Sequence, residues 1–267
     1  MNNHISAKGA GEKYMQFTTK ISAALCLALA ASGTFAADEA ASEHQISGNI
    51  AVVSSYNVRG LTNVPDNDKA TIQGGLDYSH ASGFYAGYWG STLGYSLTDY
   101  DPIVGDYTGR DAFEHDFYLG YNGSINQDWG YNIGAVYYYY YESDADADGF
   151  ESVIGVNYKD FSLTAQTLWD DITWGNAGDT YVLATYSHAL PRDFSLNTAL
   201  GLYYYNDDSS KYFNTTEDFG FRHFNVGLSH PLGNTGADMS VDFIVGGYDR
   251  VDEKQKNKVV FGLSYSF

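Results

Sequence analysis

The chain ends with the stretch Lys258–Phe267, KVVFGLSYSF. Large apolar side chains occupy every second position of it: Val259, Phe261, Leu263, Tyr265 and Phe267. A period of two places these side chains on one face of a β-strand. Such a strand could form the edge of a soluble sheet. It could equally form the wall of a membrane barrel, with lipid on the apolar side and a polar lumen on the other.

Similar segments recur from about His44 onward, separated by connections rich in Gly, Asn, Asp and Pro. The predicted strands cover residues 45–59, 70–80, 84–95, 112–122, 129–141, 150–159, 161–170, 180–190, 194–205, 219–230, 237–248 and 258–267. In most of them one set of alternate residues is apolar and the other polar, but in 84–95 both sets are apolar and the faces stay unassigned. In 129–141 the apolar set has aromatic residues at both ends and aliphatic residues between. That order is typical of a barrel strand that crosses two membrane interfaces.

The connections between these strands alternate in length. The long ones are 60–68, 96–110, 142–149, 171–179, 206–218 and 249–257, and the short ones are 81–83, 122–128, 159–160, 191–193 and 231–236. Outer-membrane barrels have an even strand number, long outer loops and short periplasmic turns, whereas a soluble sandwich has no reason to sort its loops. We therefore predict an all-β fold: a transmembrane, antiparallel, up-and-down β-barrel of about twelve strands, with both termini periplasmic. Ten or fourteen strands would follow from different segment boundaries.

The beginning of the chain predicts export. Lys20 precedes an apolar run over residues 21–31, and small residues at Thr34 and Ala36 favour cleavage after Ala36. The run is too short for a membrane-spanning anchor, which needs about 20 apolar residues. We therefore predict a signal peptide over residues 1–36, with Met15 as a possible true start, and a single barrel domain over 37–267.

Composition narrows the possible partners and chemistry. The 267 residues include 14 Lys and Arg against 33 Asp and Glu, a net charge of −19, which argues against nucleic acid as a partner. The 25 tyrosines suit a membrane–water interface. The single cysteine, Cys26, lies in the predicted signal peptide, so no disulfide or thiol chemistry is expected in the mature chain.

Three stretches resemble the opening of the TorF family of proteobacterial porins. They are ISGNIAVVSSYNVRG at 46–60, IQGGLDY at 72–78 and SGFYAGYWGSTLG at 82–94. The resemblance implies an outer-membrane barrel and a channel, and it names neither a substrate nor a catalytic residue. The C-terminal aromatic strand resembles the signature of outer-membrane barrels, which implies recognition of the strand ending in Phe267 by the barrel assembly machinery.

The alternation also predicts which charged side chains point into the lumen. This set is Arg59, Asp77, Glu114, Asp116, Glu151, Lys159, Asp170, Arg222, Asp238 and Asp242. Pores select ions with rings of charge. We expect Arg59, Glu114, Asp116, Arg222 and Asp242 to line the lumen and set its selectivity. Two interpretations stay open: a lumen with a weak preference for cations, or charges that pair with one another and fill a closed barrel.

The sharpest local motif is DADADG at residues 144–149. Asp144, Asp146 and Asp148 match the first carboxylates of an EF-hand-type calcium loop, but position 12 would be Gly155, where a glutamate is required. A solvated acidic loop is one interpretation. A loosely bound calcium ion, bridging to lipopolysaccharide phosphates, is the other.

These observations favour an outer-membrane channel for passive diffusion of small solutes, with a preference for cations or neutral polar molecules. The expected partners are membrane lipids, lipopolysaccharide and the solutes, and no cofactor is expected beyond the calcium of the acidic loop. The alternative is an occluded structural or adhesion barrel that acts through its acidic loops. An enzyme is not expected, because no serine–histidine pair stands in a recognisable motif such as G-x-S-x-G.

Overall fold

The structure is a computed structural model that describes residues 43–62, 66–207 and 212–267. The predicted signal peptide, residues 1–36, lies outside these ranges. The strands are β1 (His44–Val53), β2 (Thr71–His80), β3 (Phe84–Ser96), β4 (Tyr100–Asp101), β5 (Asp106–Tyr107), β6 (Asp111–Ser124), β7 (Trp129–Tyr140), β8 (Gly149–Tyr158), β9 (Phe161–Leu168), β10 (Thr180–Ala189), β11 (Ser195–Tyr204), β12 (Phe219–Pro231), β13 (Ala237–Gly246) and β14 (Lys258–Ser266). No helix in the described ranges has the length and apolar character needed to cross a bilayer.

Twelve of these strands form one closed antiparallel barrel, while β4 and β5 form a small hairpin within a loop. Neighbours in the barrel are neighbours in sequence, and β14 returns to pair with β1 from Asn49↔Ser266 to Val53↔Gly262. The predicted fold class and strand number are confirmed. Closure leaves no unpaired strand edge, which is what hydrocarbon requires of a spanning sheet.

The final residue takes part in this closure. The backbone N–H of Phe267 donates to the carbonyl of Gly48 at 3.0 Å, and the N–H of Gly48 donates to Phe267 at 2.9 Å. A Cβ atom at position 48 would lie 2.5 Å from the Phe267 ring, so glycine is the residue that allows this approach. The alternating stretch at the end of the chain is therefore the strand that closes the barrel.

The outer wall is apolar and the inner wall is polar, as the alternation predicts. Ile46, Ile133, Ile154 and Phe261 expose 57–78% of their surface on the outside. In β3, whose faces the sequence leaves open, Tyr85 and Leu93 are buried inside. The long connections lie at one end of the barrel and the short turns at the other. We call these the long-loop end and the short-turn end.

One strand boundary differs from the prediction. The predicted strand 45–59 ends at Val53, and residues 54–62 fold into the barrel as an inward segment that contains a 3₁₀ turn, Val58–Gly60. The backbone explains the change, because Arg59 and Gly60 have φ angles of 48° and 72°, which an extended strand cannot contain.

A charge on the outer wall tests this orientation. Replacing Ile154 with arginine is expected to lower the free energy of unfolding by about 2–4 kcal/mol, because Ile154 lies at mid-strand on the outer face. The matched control is Thr164→Arg, one strand away on the inner wall. Urea unfolding in lipid vesicles measures both variants, and an equal loss in the two would contradict the assignment of faces.

Candidate functional site in the lumen

The centre of the candidate site is Arg59, which the inward segment carries across the lumen. Its guanidinium donates two hydrogen bonds to the Glu151 carboxylate, at 2.7 Å and 2.6 Å. It also donates to the hydroxyls of Tyr203 and Tyr138, each at 3.0 Å, and to Gln166 Oε1 at 2.9 Å. Such a planar fork suits arginine and not lysine. These partners belong to four strands, so one side chain ties the segment to a large arc of the wall.

Glu114 holds the same segment at a second point. The Tyr56 hydroxyl donates to Glu114 Oε1 at 2.8 Å, and the Tyr140 hydroxyl donates to Glu114 Oε2 at 3.0 Å. Tyr56 lies in the inward segment, whereas Glu114 and Tyr140 lie on the wall. Glu114 is therefore a satisfied acceptor that fixes the start of the segment.

Asp116 is the third buried carboxyl group. It is fully buried on β6, and neither carboxylate oxygen has a hydrogen-bond partner among the described residues. Glu114, Asp116 and Glu151 thus place three carboxyl groups around the single guanidinium of Arg59. The cluster is more acidic than its one cation can balance, and a buried charge without a partner is costly.

Arg222 supports the backbone of the segment. A bulge in β12 leaves Arg222 without a partner on β11, so that Arg222 and His223 are both buried. Arg222 Nε donates to the carbonyl of Arg59 at 3.0 Å. His223 lies beside Gly60, where a Cβ atom would come within 2.7 Å of the His223 Cβ.

These contacts close the lumen at the long-loop half. Glu114, Asp116 and Glu151 expose 2% of their surface or less. The buried side chains Tyr56, Tyr138 and Tyr140 form an apolar cluster at this level, against which Trp174 of a long loop packs. These three carboxylates are therefore shielded from solvent in this structure, while the Arg59 side chain keeps 13% of its surface exposed.

The short-turn half of the lumen is different. Its wall carries small polar side chains that bond to one another, such as Ser162 with Thr185 at 2.6 Å and Ser187 with Asn197 at 2.8 Å. These residues are half-buried, so solvent reaches them. The barrel therefore contains a polar vestibule below a closed section.

The structure brings together four of the five residues chosen from the sequence. Arg59, Glu114, Asp116 and Arg222 belong to the closed section, although Arg59 reaches it from the inward segment and not from a strand. Asp242 lies on the inner wall of β13 beside Gly227, apart from this group. Their role in selectivity stays a prediction.

Two other charges predicted to face the lumen do not. Lys159 lies in a short turn, 3.8 Å from Asp128, and both side chains are more than half exposed. Asp170 follows the end of β9 and accepts a hydrogen bond from the backbone N–H of Phe150 at 3.1 Å. The predicted strands are one residue too long at Lys159 and two residues too long at Asp170. Both residues therefore lie in connections, where the alternation of a strand does not determine the direction of a side chain.

The acidic loop uses its carboxylates as internal hydrogen-bond acceptors. Asp144 accepts from the backbone N–H of Asp99 at 2.8 Å, and Asp148 accepts from that of Tyr140 at 2.8 Å. Asp146 accepts from the Tyr212 hydroxyl at 2.7 Å. The three carboxylates thus bond to three different parts of the long-loop end. The calcium site stays a prediction.

The main partners of Arg59 do not belong to the site predicted from the sequence. Glu151 is among the expected inward charges and Gln166 is on the polar face of the predicted strand 161–170, but neither is among the selected site residues, and Tyr138 and Tyr203 have no predicted role. The signal was present in β7, where the odd-numbered residues face outward, so that Tyr138 and Tyr140 face inward.

Asp66 lies near the end of the long connection between β1 and β2, which begins with the inward segment. It forms ion pairs with Lys256, at 2.8 Å, and with Lys258. Partial burial alone would raise the pKa of the Asp66 carboxyl, but the hydrogen bonds from the two lysines lower it below its ordinary value of 3.8. Because the folded state lowers this pKa, the stabilisation is present above the ordinary value and is lost as the pH falls through the lowered one.

This linkage predicts a pH-dependent effect of Asp66→Asn. The variant is expected to unfold at slightly lower urea concentration than the wild type at pH 7, since the pairs are partly solvent-exposed. The difference should disappear as the pH falls below the lowered pKa, where the wild-type carboxyl is also uncharged. A difference that persists in strong acid would show that the lysine pairs are not its cause.

Comparison with known proteins gives a family and a fold. A family model described as "Bacterial protein of unknown function (Gcw_chp)" matches residues 37–267. The chain belongs to the Gcw_chp family. No curated protein matches the sequence.

Solved structures similar to this Gcw_chp member include two porins and an outer-membrane phospholipase. The KdgM porin superposes with a TM-score of 0.51 at 9% identity, covering 83% of this chain and 99% of that one. The NanC porin has a TM-score of 0.46 at 12% identity, covering 83% and 99%. Outer membrane phospholipase A from Escherichia coli has a TM-score of 0.42 at 10% identity, covering 82% and 88%. At such identities the likeness to KdgM supports the fold alone.

Proposed function

We propose that this Gcw_chp member is an outer-membrane channel for passive diffusion of small solutes, closed in this structure by its inward segment. The observation that carries the proposal is the division of the lumen. The vestibule is polar and solvent-accessible, and the section above it is closed by residues 54–62 and by long-loop side chains. A barrel built only as a scaffold has no need of a hydrated vestibule on one side of the closed section.

The charge distribution supports a preference for cations or neutral polar solutes. Asp77 and Asp242 lie on the half-buried inner wall, and the closed section holds three carboxyl groups against the two guanidinium groups of Arg59 and Arg222. The long loops are also acidic, which raises the local cation concentration at that mouth. The TorF-family assignment, the periplasmic termini and the outer-membrane location belong to the same proposal.

The burial of the Arg59–Glu151 ion pair supports a second candidate function. If the inward segment never leaves the lumen, the molecule is an occluded structural or adhesion barrel that presents acidic loops. The apolar packing of Tyr56 against wall tyrosines favours this alternative.

Single-channel recording in planar bilayers tests the proposal. Purified protein is expected to give conductance steps, and a salt gradient should give a reversal potential of cation-selective sign. Asp77→Asn combined with Asp242→Asn should move that potential toward zero, while the exposed long-loop variant Asp252→Asn should change it less. Absence of steps in both the wild type and Arg59→Ala would favour the occluded barrel.

A further inference from the structure

The outer face of the short-turn end carries a group of side chains that the lumen does not use. His44 begins β1 and His80 ends β2, and the two residues are directly opposite in the register of these strands. Their ring centroids lie 5.0 Å apart. Glu43 precedes His44, and its carbonyl accepts a hydrogen bond from the N–H of Ala81 at 2.9 Å, which holds it beside the turn.

Three potential metal ligands converge at this point. Glu43, His44 and His80 each offer one ligand atom, and these atoms all lie within 4.8 Å of one another. Among the described residues this is the one group of three or more His, Cys, Asp or Glu side chains with that property. Donor atoms bound to one ion at about 2.0–2.1 Å in a tetrahedral site lie about 3.3 Å apart, so side-chain rotations that move these atoms by up to about 1.5 Å would complete the geometry.

Neighbouring hydroxyl groups orient both imidazole rings. His44 Nδ1 lies 2.8 Å from the Tyr78 hydroxyl, and His80 Nδ1 lies 2.7 Å from the Ser82 hydroxyl. Metal-binding histidines commonly use the second ring nitrogen in this way. The N–H of Ser82 also donates to His80 Nδ1 at 3.1 Å, so the metal-free ring carries its proton on Nε2. Metal binding at Nε2 would shift that proton to Nδ1, which would then donate to the Ser82 hydroxyl in place of accepting from the Ser82 N–H.

We propose that Glu43, His44 and His80 form a binding site for a divalent transition-metal ion. Two imidazoles and one carboxylate suit Zn²⁺, Ni²⁺ or Cu²⁺ and do not suit Ca²⁺ or Mg²⁺, which prefer oxygen ligands. The exposure of Glu43 and His44 leaves room for water in the remaining coordination positions. The bound ion would join the first residues of β1 to the end of β2, and the proposal is independent of whether the lumen conducts.

The site predicts a stabilising effect of the metal. An ion that binds the folded barrel and not the unfolded chain stabilises it by RT ln(1 + M/Kd), where M is the free metal concentration, so the unfolding temperature rises with that concentration. His188 provides a matched control, because it lies exposed at the same end of the barrel and stacks on Tyr186. It does not belong to the three-residue group.

The experiment is a titration of the tag-free barrel in detergent with ZnCl₂ by calorimetry, and with CoCl₂ by visible absorption. We expect one metal ion per chain and a cobalt spectrum with nitrogen ligation. His80→Ala should weaken Zn²⁺ binding by more than the roughly 10–100-fold that loss of an outer-shell partner costs, and Ser82→Ala should give a smaller loss. His188→Ala should bind as the wild type does.

Unfolding temperatures measured with and without Zn²⁺ give a second readout on the same proteins. Zn²⁺ should raise this temperature in the wild type and in His188→Ala, but not in Glu43→Gln or His80→Ala. Equal Zn²⁺ affinity in the wild type and His80→Ala, or equal losses in His80→Ala and His188→Ala, would overturn the proposal. If His80→Ala does not fold, His44→Gln and Glu43→Gln decide by the same criterion.

Discussion

Replacing Arg59 with alanine is expected to raise the single-channel conductance of the barrel several-fold. The change removes the bidentate bond to Glu151 and the bonds to Tyr138, Tyr203 and Gln166. Removing one partner of a buried ion pair costs about 3–5 kcal/mol, because the other charge stays buried without compensation. The barrel wall is held by its own backbone ladder, so the cost is relieved most easily when residues 54–62 leave the lumen and water reaches Glu151.

This free energy acts on the balance between the closed and the open lumen, whereas the width of the opened barrel sets the several-fold rise in conductance. About 1.4 kcal/mol changes an equilibrium tenfold, so the loss of the pair favours the open lumen by about two to four orders of magnitude. The matched control is Arg110→Ala, since Arg110 pairs with Glu142 in the long loops and both side chains are more than half exposed. Equal conductance in Arg59→Ala, Arg110→Ala and the wild type would show that Arg59 does not hold the lumen closed.

Gly60→Val is expected to open the lumen without touching any charge. Gly60 has a φ angle of 72°, and a Cβ atom there would lie 2.7 Å from the Cβ of His223 on the barrel wall. A non-glycine residue in this backbone region costs about 1–2 kcal/mol, and a β-branched side chain adds the steric clash. The segment cannot keep its position beside His223, so we expect conductance close to that of Arg59→Ala.

Gly105→Val separates backbone strain from the clash. Gly105 has a similar φ of 78°, but a Cβ atom there meets nothing within 4 Å. It lies between β4 and β5 in a long loop, so its substitution should leave conductance unchanged. The idea that the inward segment depends on this close approach fails if Gly60→Val and Gly105→Val conduct alike.

Most of the barrel could be predicted from the sequence because its physics is local. A hydrophobic period of two indicates which face of a strand meets lipid, and the turn residues indicate where a strand ends. Twelve strands, their order and the sorting of long and short connections therefore follow without any long-range information. The inward orientation of Glu114 and Asp116 follows in the same way from the alternation around Phe113 and Phe117.

The contacts that close the lumen could not be predicted in this way. Arg59 and Glu151 are 92 residues apart, and their meeting depends on a segment that leaves the strand and crosses the barrel. Ser55, Asn57 and Arg59 continue the alternation of β1. A prediction based on the period of two therefore includes these residues in the strand. The only local indication of the strand end is Gly60 after Arg59, because glycine readily adopts a left-handed backbone conformation.

The acidic loop shows a second limit of sequence spacing. Asp144, Asp146 and Asp148 have the spacing of calcium ligands, yet each accepts a hydrogen bond from a different neighbour. Short polar side chains commonly bond to nearby backbone N–H groups in loops. Spacing identifies candidates for a site, whereas convergence of the ligand atoms requires the folded chain.

A charge-exchange experiment in planar bilayers tests the central claim most directly. Conductance is measured for Arg59→Glu, for Glu151→Arg and for the double variant that carries both changes. Arg59→Glu places a further carboxylate among Glu114, Asp116 and Glu151 and should conduct several-fold more than the wild type. Glu151→Arg places two guanidinium groups together but beside the surplus carboxyl groups Glu114 and Asp116, so its rise in conductance should be smaller. The double variant restores an ion pair of opposite polarity and should return most of the way to wild-type conductance. A double variant that conducts as much as the single variants, or single variants that conduct like the wild type, would contradict a lumen closed by the Arg59–Glu151 pair.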